Sequence, residues 1–441
     1  MKNNKNYGLF TTISMIIGIV IGSGIIFKTA NVLRATQGNV LLGVMVFIVA
    51  SFSIIFGSLT LSQLALRTEE HGGVISYVKA SYGKKASGVF GWFISLIYMP
   101  TITAVLAWVS AVYLLMFLNV NTTLEVQIVL SILILILLSL LNILSAKASG
   151  YFQNVTTAIK LVPLIIIAII GFFYTSESGI LTHTITSRPL SGNGLMFLTA
   201  IGPISFIFDG WTIATTVSGE IKNPKKTLPI ALTIAPIIIL IVYVAYFIGI
   251  TRIINPSEIM SLGNDYIYVA FNRLVGNVGS KIALFILVIS MLGTTNGLIL
   301  GSSRSINYLA NEDLIMKSHK IKSSSDKIPV RGIIVSSFIA LCWLIIHYGT
   351  LKFNLLDNAD ISEISIAMMY LLLICLYVKV IQLKVQHEIK GCFKGYIFPF
   401  LAIIGSLIMF SGSLQNQYFI FYFTFSVLIL LASYVYVREK S

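Results

Sequence analysis

Apolar residues run along this chain in blocks too long for the core helices of a water-soluble domain. Short polar stretches rich in Lys, Gly, Asn and Ser separate the blocks. A helix needs about 20 apolar residues to cross ~30 Å of hydrocarbon. Twelve blocks approach that length, at about 9–33, 40–66, 88–118, 124–144, 150–174, 191–219, 228–250, 281–310, 331–348, 361–380, 396–413 and 418–437. Runs such as Ile128 to Leu141 show no alternation of apolar and polar residues, which excludes a transmembrane barrel. The pattern predicts an all-α polytopic membrane protein with 12 transmembrane helices.

Two blocks are interrupted. Gly22-Ser23-Gly24 stands at the centre of the first. Glycine is a poor helix former and adds no apolar surface in lipid. An unwound turn there would aim backbone N–H groups into a cavity, where the start of a second half-helix can receive a carboxylate. A small-residue packing seam is the other reading. In the sixth block, Asp209-Gly210 falls at mid-depth, which a break explains if Asp209 caps the half-helix that follows. Two interrupted helices five blocks apart point to an inverted-repeat transporter with its site at the bilayer midplane.

Composition sharpens the class. The 441 residues are 56% hydrophobic and only 10% charged, with a mean hydropathy of +0.92. Soluble domains carry about 25% charged residues. The net charge of +14 invites a nucleic-acid partner, but its distribution explains it otherwise. With a cytoplasmic amino terminus, most Lys and Arg fall on the inner side, and Arg34, Arg188, Arg252, Arg273, Lys281 and Lys352 on the outer. That bias places both termini inside. Lys2 and Lys5 before an apolar run imitate a signal peptide, but the run is long and lacks a small-x-small cleavage site. It is expected to remain as the first span.

Catalytic chemistry is not apparent. Cys342, Cys375 and Cys392 lack metal-ligand spacing, and the five histidines are scattered. No nucleophile, metal cluster or pair of carboxylates is evident at depth, so neither an enzyme nor a metal or other cofactor is expected. A channel would need a ring of similar groups around a pore. Three basic residues lie within the blocks. Lys28 and Arg304 are near enough to helix ends to be expected to snorkel. Lys160, near the middle of the fifth block, is expected to face the protein interior or water. Pro100, Pro163 and Pro236 are expected to kink their helices. Residues 67–89 read as a cytoplasmic loop or short surface helix, and 255–277 as an outer loop helix.

Ile21-Gly22-Ser23-Gly24-Ile25-Ile26-Phe27-Lys28 resembles the first-helix motif of the amino acid–polyamine–organocation (APC) superfamily transporters. Phe206-Ile207-Phe208-Asp209-Gly210-Trp211 and the run Gly219-Glu220-Ile221-Lys222-Asn223-Pro224 resemble the sixth-helix region of one branch. That branch holds the L-type amino acid transporters and bacterial serine/threonine exchangers. Ser302-Ser303-Arg304 is also similar. Thr29 departs from the family, standing where many members have proline, as does Val74-Ile75, where a Glu-Tyr pair is common.

The resemblance implies a LeuT-type 5+5 inverted repeat with discontinuous helices 1 and 6 plus two extra helices. Residues 1–380 would form the transport core (repeat one about 9–174, repeat two about 191–380), and 381–441 the added helices and cytoplasmic carboxyl terminus. It implies that backbone N–H groups around Ser23, Gly24 and Ile25 hold the substrate carboxylate. Carbonyls near Val20, Phe206 and Asp209 would hold the ammonium, with Gly210 in the second break. Phe206 would be an aromatic gate. Lys160 would replace the second sodium site of sodium-coupled relatives, its amine reaching the first and eighth helices, either as a charged strut or as a group that loses its proton during the cycle. The expected function is sodium-independent exchange of neutral L-amino acids through alternating access. Proton-coupled symport, and an amino-acid-sensing receptor on the same fold, remain alternatives. The expected partners are a small-molecule amino acid and the lipid bilayer of a bacterial plasma membrane, with no nucleic acid and no obligatory protein partner.

Overall fold

The apolar blocks fold as helices in a computed structural model of the chain. It describes residues 8–440 except 23, 69–71, 121, 145–151, 153–154, 157, 175–192, 213–220, 316–329, 357–359 and 417. In chain order the helices are α1 (Leu9–Val20), α2 (Gly24–Ala35), α3 (Val40–Ala65), α4 (Val74–Phe93), α5 (Met99–Phe117), α6 (Leu124–Leu144) and α7 (Leu161–Phe173). There follow α8 (Asn193–Ile207), α9 (Pro224–Ile253), α10 (Pro256–Leu262), α11 (Tyr266–Asn311), α12 (Val330–Lys352), α13 (Ile361–Val385), α14 (Phe398–Ser413) and α15 (Phe419–Lys440). A π-helical turn, Ile94–Tyr98, joins α4 to α5.

Among the described residues, nine helical stretches are long and apolar enough to cross a membrane. Three shorter apolar helices fall in the first, fifth and sixth blocks. Two of these blocks are the interrupted ones, and the fifth lies partly outside the described residues. Several helix starts have local chemical causes. Asn39 accepts a hydrogen bond from the Leu42 N–H at 2.9 Å and opens α3. Asp360 does the same for α13, accepting from Ser362 N–H at 2.8 Å.

Packing is dense at the centre and depends on small residues. α9 lies against α1, α3 and α7, while α8 packs on α2, α3, α13 and α14. In α7, a Cβ on Gly171 would come within 2.3 Å of Gly249 Cα in α9, so these two backbones touch directly. Such close approach is how membrane helices gain van der Waals energy when lipid supplies no hydrophobic drive between them.

Two loop expectations change. Val74 to Val78 are buried, so the start of α4 is an interior element rather than a surface helix. The helix direction breaks at Gly83, with φ +85°. Residues 255–277 do hold helical structure, but its second part continues into α11 through a similar break at Gly276, φ +72°. Glycine adopts this region without the Cβ clash that disfavours it elsewhere.

Candidate functional site

The first break follows from a single turn. α1 ends at Val20, and Ile21 adopts φ −72°, ψ 84°, the geometry of an inverse γ-turn. Gly22 N–H donates to Val20 O at 2.8 Å across it, and α2 starts at Gly24. The predicted interruption is therefore present. Ser23, expected to line it, lies outside the described residues.

The second break begins after Ile207. Asp209 N–H turns back to Phe206 O at 3.2 Å, and Gly210 stands at φ +94°, a conformation L side chains rarely adopt. Residues 213–220 lie outside the described part, so the half-helix that Asp209 was expected to cap is not in view. Its carboxylate has other partners. The Tyr98 hydroxyl lies 2.7 Å from Oδ1 and 2.9 Å from Oδ2, and the Gly210 N–H also donates to it. Tyr98 closes the π-helical turn between α4 and α5, a local irregularity that re-aims a side chain toward the site. Asp209 is partly exposed, while Phe208, Gly210 and Trp211 on either side of it are buried.

The two breaks meet. A Cβ built on Gly24 would lie 3.3 Å from Phe206 Cδ1 and 3.4 Å from Ile207 Cα. Phe206 is itself buried, edge-on to Phe27 at 6.3 Å between ring centroids. Val20, Gly24, Phe206, Asp209 and Gly210 are thus brought to one locality. Ile25 is fully buried, and its carbonyl is engaged by the Thr29 hydroxyl at 2.5 Å.

Sequence reasoning missed the residue that joins the breaks. The Tyr243 hydroxyl of α9 lies 2.9 Å from Val20 O and 3.0 Å from Ile207 O, the last carbonyls of α1 and α8. Helix ends leave carbonyls unpaired, and in the membrane interior another group must satisfy them. One hydroxyl proton serves one carbonyl at a time, so Tyr243 couples the two half-helix ends. A tyrosine well inside the 228–250 apolar block, whose hydroxyl must find a partner, was the available signal. The Val20 carbonyl, expected to meet the substrate ammonium, already accepts from both Tyr243 and Gly22.

Lys28 requires a correction. It does not snorkel; it is 1% exposed, and its Nζ lies 2.7 Å from Asp360 Oδ2 and 2.5 Å from Glu363 Oε1. Both carboxylates are buried, so the paired carboxylates at depth not seen in the sequence do exist. Counting residues from the start of α13 puts Asp360 and Glu363 at an apparent loop edge. The Lys28 side chain reaching across from α2, and the packing of α8 on α13, remove that edge from water. Lys28 Nζ also lies 5.3 Å from the centroid of the Phe206 ring, which places this cluster next to the breaks.

Lys160 is 3% exposed and precedes α7. Its N–H donates to Thr156 O, and Thr156 Oγ1 presses on α11, where a Cβ on Gly293 would lie 2.1 Å away. The neighbouring Thr294 Oγ1 is 3.1 Å from a Cβ position on Gly22. The turn before Lys160 and the first break therefore meet the same stretch of α11. Among the described residues no acidic group lies within ion-pair distance of Lys160.

Comparison with known proteins bears on this arrangement. The family model described as "Amino acid permease" matches residues 7–437. The serine/threonine exchanger SteT of Bacillus subtilis is 27% identical over 417 residues, covering 93% of this chain and 91% of its own. The human b(0,+)-type amino acid transporter 1 is 26% identical over 353 residues, covering 77% and 70%. A crystal structure of MhsT in complex with L-phenylalanine aligns with a TM-score of 0.65 at 13% identity, covering 91% of this chain and 97% of that one. That likeness establishes a LeuT-like fold.

Proposed function

The chain belongs to the amino acid permease family, and from that premise we propose that it exchanges neutral L-amino acids across a bacterial plasma membrane, without sodium, by alternating access. It is a multi-pass membrane transporter of amino acids rather than an enzyme. The observation that carries the finer reading is the meeting of two helix breaks at Gly24 and Phe206. A zwitterion has an anionic and a cationic end. The first N–H groups of α2 suit the first, and the carbonyls near Val20, Phe206 and Asp209, each with a second lone pair, suit the second.

Substrate carboxylate is held by the backbone around Ser23, Gly24 and Ile25. Phe206 gates the site, and with the amino terminus cytoplasmic, α2 and α8 are the outer half-helices. The twelve-span count, the repeats 9–174 and 191–380, and function without an obligatory protein partner belong to the same reading. The engagement of the Asp209 carboxylate by Tyr98 leaves it as an anchor of the break, which favours neutral side chains. Lys160 supplies a fixed positive charge near α11, where a coupling cation would otherwise sit.

Proteoliposomes decide between these roles. Radiolabelled neutral L-amino acids should enter only vesicles loaded with amino acid, equally in sodium and in choline. Gradient-driven accumulation in empty vesicles would reject exchange. Binding without any flux would make the chain a sensor, and strict sodium dependence would overturn the role given to Lys160.

A further inference from the structure

The Lys28 cluster contains one more negative charge than positive. Lys28 on α2 faces Asp360 at the start of α13 and Glu363 one turn later, all inside the protein. An ammonium at hydrogen-bond distance from both carboxylates compensates one of them. The other would be a buried anion without a counter-charge, which is strongly disfavoured unless it is neutralised. A metal cation is not the answer. Lys28 Nζ occupies the space between the two carboxylates, and no group of three or more His, Cys, Asp and Glu among the described residues is arranged to hold one.

Among the described residues the surroundings supply hydrogen bonds to Asp360 but no second lysine or arginine. Ser362 donates to Asp360 Oδ1 from both its N–H and its hydroxyl. From α12, His347 is fully buried and close enough for the charges of Asp360 and Lys28 to act on it, and its Nε2 has no hydrogen-bond partner among the described residues. From α15, Tyr422 feels the Asp360 charge. Among the described residues, Lys28 is the cation within ion-pair distance of Glu363. Its second oxygen, Oε2, lies against α8, 2.9 Å from where a Cβ on Gly202 would stand.

We propose that Glu363 and Asp360 form a proton-binding site, which holds one proton when α2 and α8 are packed on α13 and releases it to water when they move away. The geometry makes this conformational. The counter-charge rides on α2 and the cover over Oε2 rides on α8, four residues before Phe206. These two half-helices bound the breaks. Separating them from α13 admits water, which solvates the surplus charge, and a proton then leaves the carboxyl oxygen for water. Closing them expels the water, and one proton must be taken up from that same side. The proton is not carried across. It sets how readily the site closes, so the pH on the side where α2 and α8 open should control exchange. The transport readout rests on the exchange reading, whereas the site itself does not.

The test uses purified full-length protein in two measurements. Infrared difference spectra of the detergent-solubilised protein between acidic and alkaline buffer should show a protonated-carboxyl band, lost in Glu363→Gln or Asp360→Asn. Absence of that band in the parent, or its survival in both variants, would overturn the proposal even if no substrate has been found. In proteoliposomes with fixed internal pH, half-saturation for a labelled neutral amino acid should change with external pH by up to about tenfold per unit, the limit for a single proton. In right-side-out vesicles internal pH should have no such effect. Glu363→Gln should retain exchange with a flat external profile. A merely structural carboxylate predicts lower exchange at every pH with the parent's slope, and that result would reject the site. Asp360→Asn provides the second variant if Glu363→Gln is not monodisperse.

Discussion

Two lysines are buried within the spanning part of this chain, in opposite electrostatic settings. Lys28 lies on α2 in contact with two carboxylates, while Lys160 precedes α7 with no acidic group within ion-pair distance among the described residues. Burial is nearly equal, so burial alone does not define the role. A lysine fixed between carboxylates ties helices together, here α2 to α13. A lysine buried without a carboxylate has no ion pair to offset its desolvation, and intramembrane lysines of this kind are costly to keep.

The largest expected effect tests this contrast directly. Lys28→Met leaves the buried Asp360–Glu363 pair without its counter-charge, and breaking a buried pair from one side costs about 3–5 kcal/mol. Thermal unfolding in detergent should show the loss, and the triple variant Lys28→Met, Asp360→Asn, Glu363→Gln should recover most of it. Lys160→Met should leave the unfolding midpoint unchanged or higher while exchange falls to near background. Equal destabilisation by both lysine variants would erase the distinction.

The next comparison sets the two glycines of the first break against each other. Gly24→Val places methyl groups into Phe206 and the Ile207 backbone, an overpacking of about 1–3 kcal/mol, and should abolish exchange in protein that still inserts. Gly22→Ala first meets the Thr294 side chain, at 3.1 Å, which can shift to admit it, so exchange should persist at a reduced rate. Substrate affinity unchanged in Gly24→Val would refute a site at the break.

Smaller effects concern the hydroxyls that hold the breaks. Tyr98→Phe removes the bond to Asp209, worth about 1.5–3 kcal/mol for a charged acceptor, and should weaken substrate binding by scintillation proximity assay. Tyr243→Phe removes a neutral bond to Val20 or Ile207, about 1 kcal/mol, and should slow exchange more than it weakens binding. The reverse order would place Tyr243, rather than the Tyr98–Asp209 pair, next to the substrate.

The sequence by itself determined the solvent. Apolar runs of span length leave a helix as the only way to satisfy each backbone group locally, so α3, α6, α12 and α13 could be delimited from composition. It also located both breaks, because Gly22-Ser23-Gly24 and Asp209-Gly210 are local violations of helix propensity, and such violations are visible without a partner. Only the tertiary structure decided what those breaks face. Asp360 and Glu363 are more than 330 residues from Lys28, Tyr243 is 223 from Val20, and Tyr98 is 111 from Asp209. Periodicity along one helix carries no information about which side chain from another will meet it. Lys28 was expected to reach water because its distance from the helix end is a local quantity. Whether water is there depends on how α2, α8 and α13 close around it, a property of packing among segments distant in the chain.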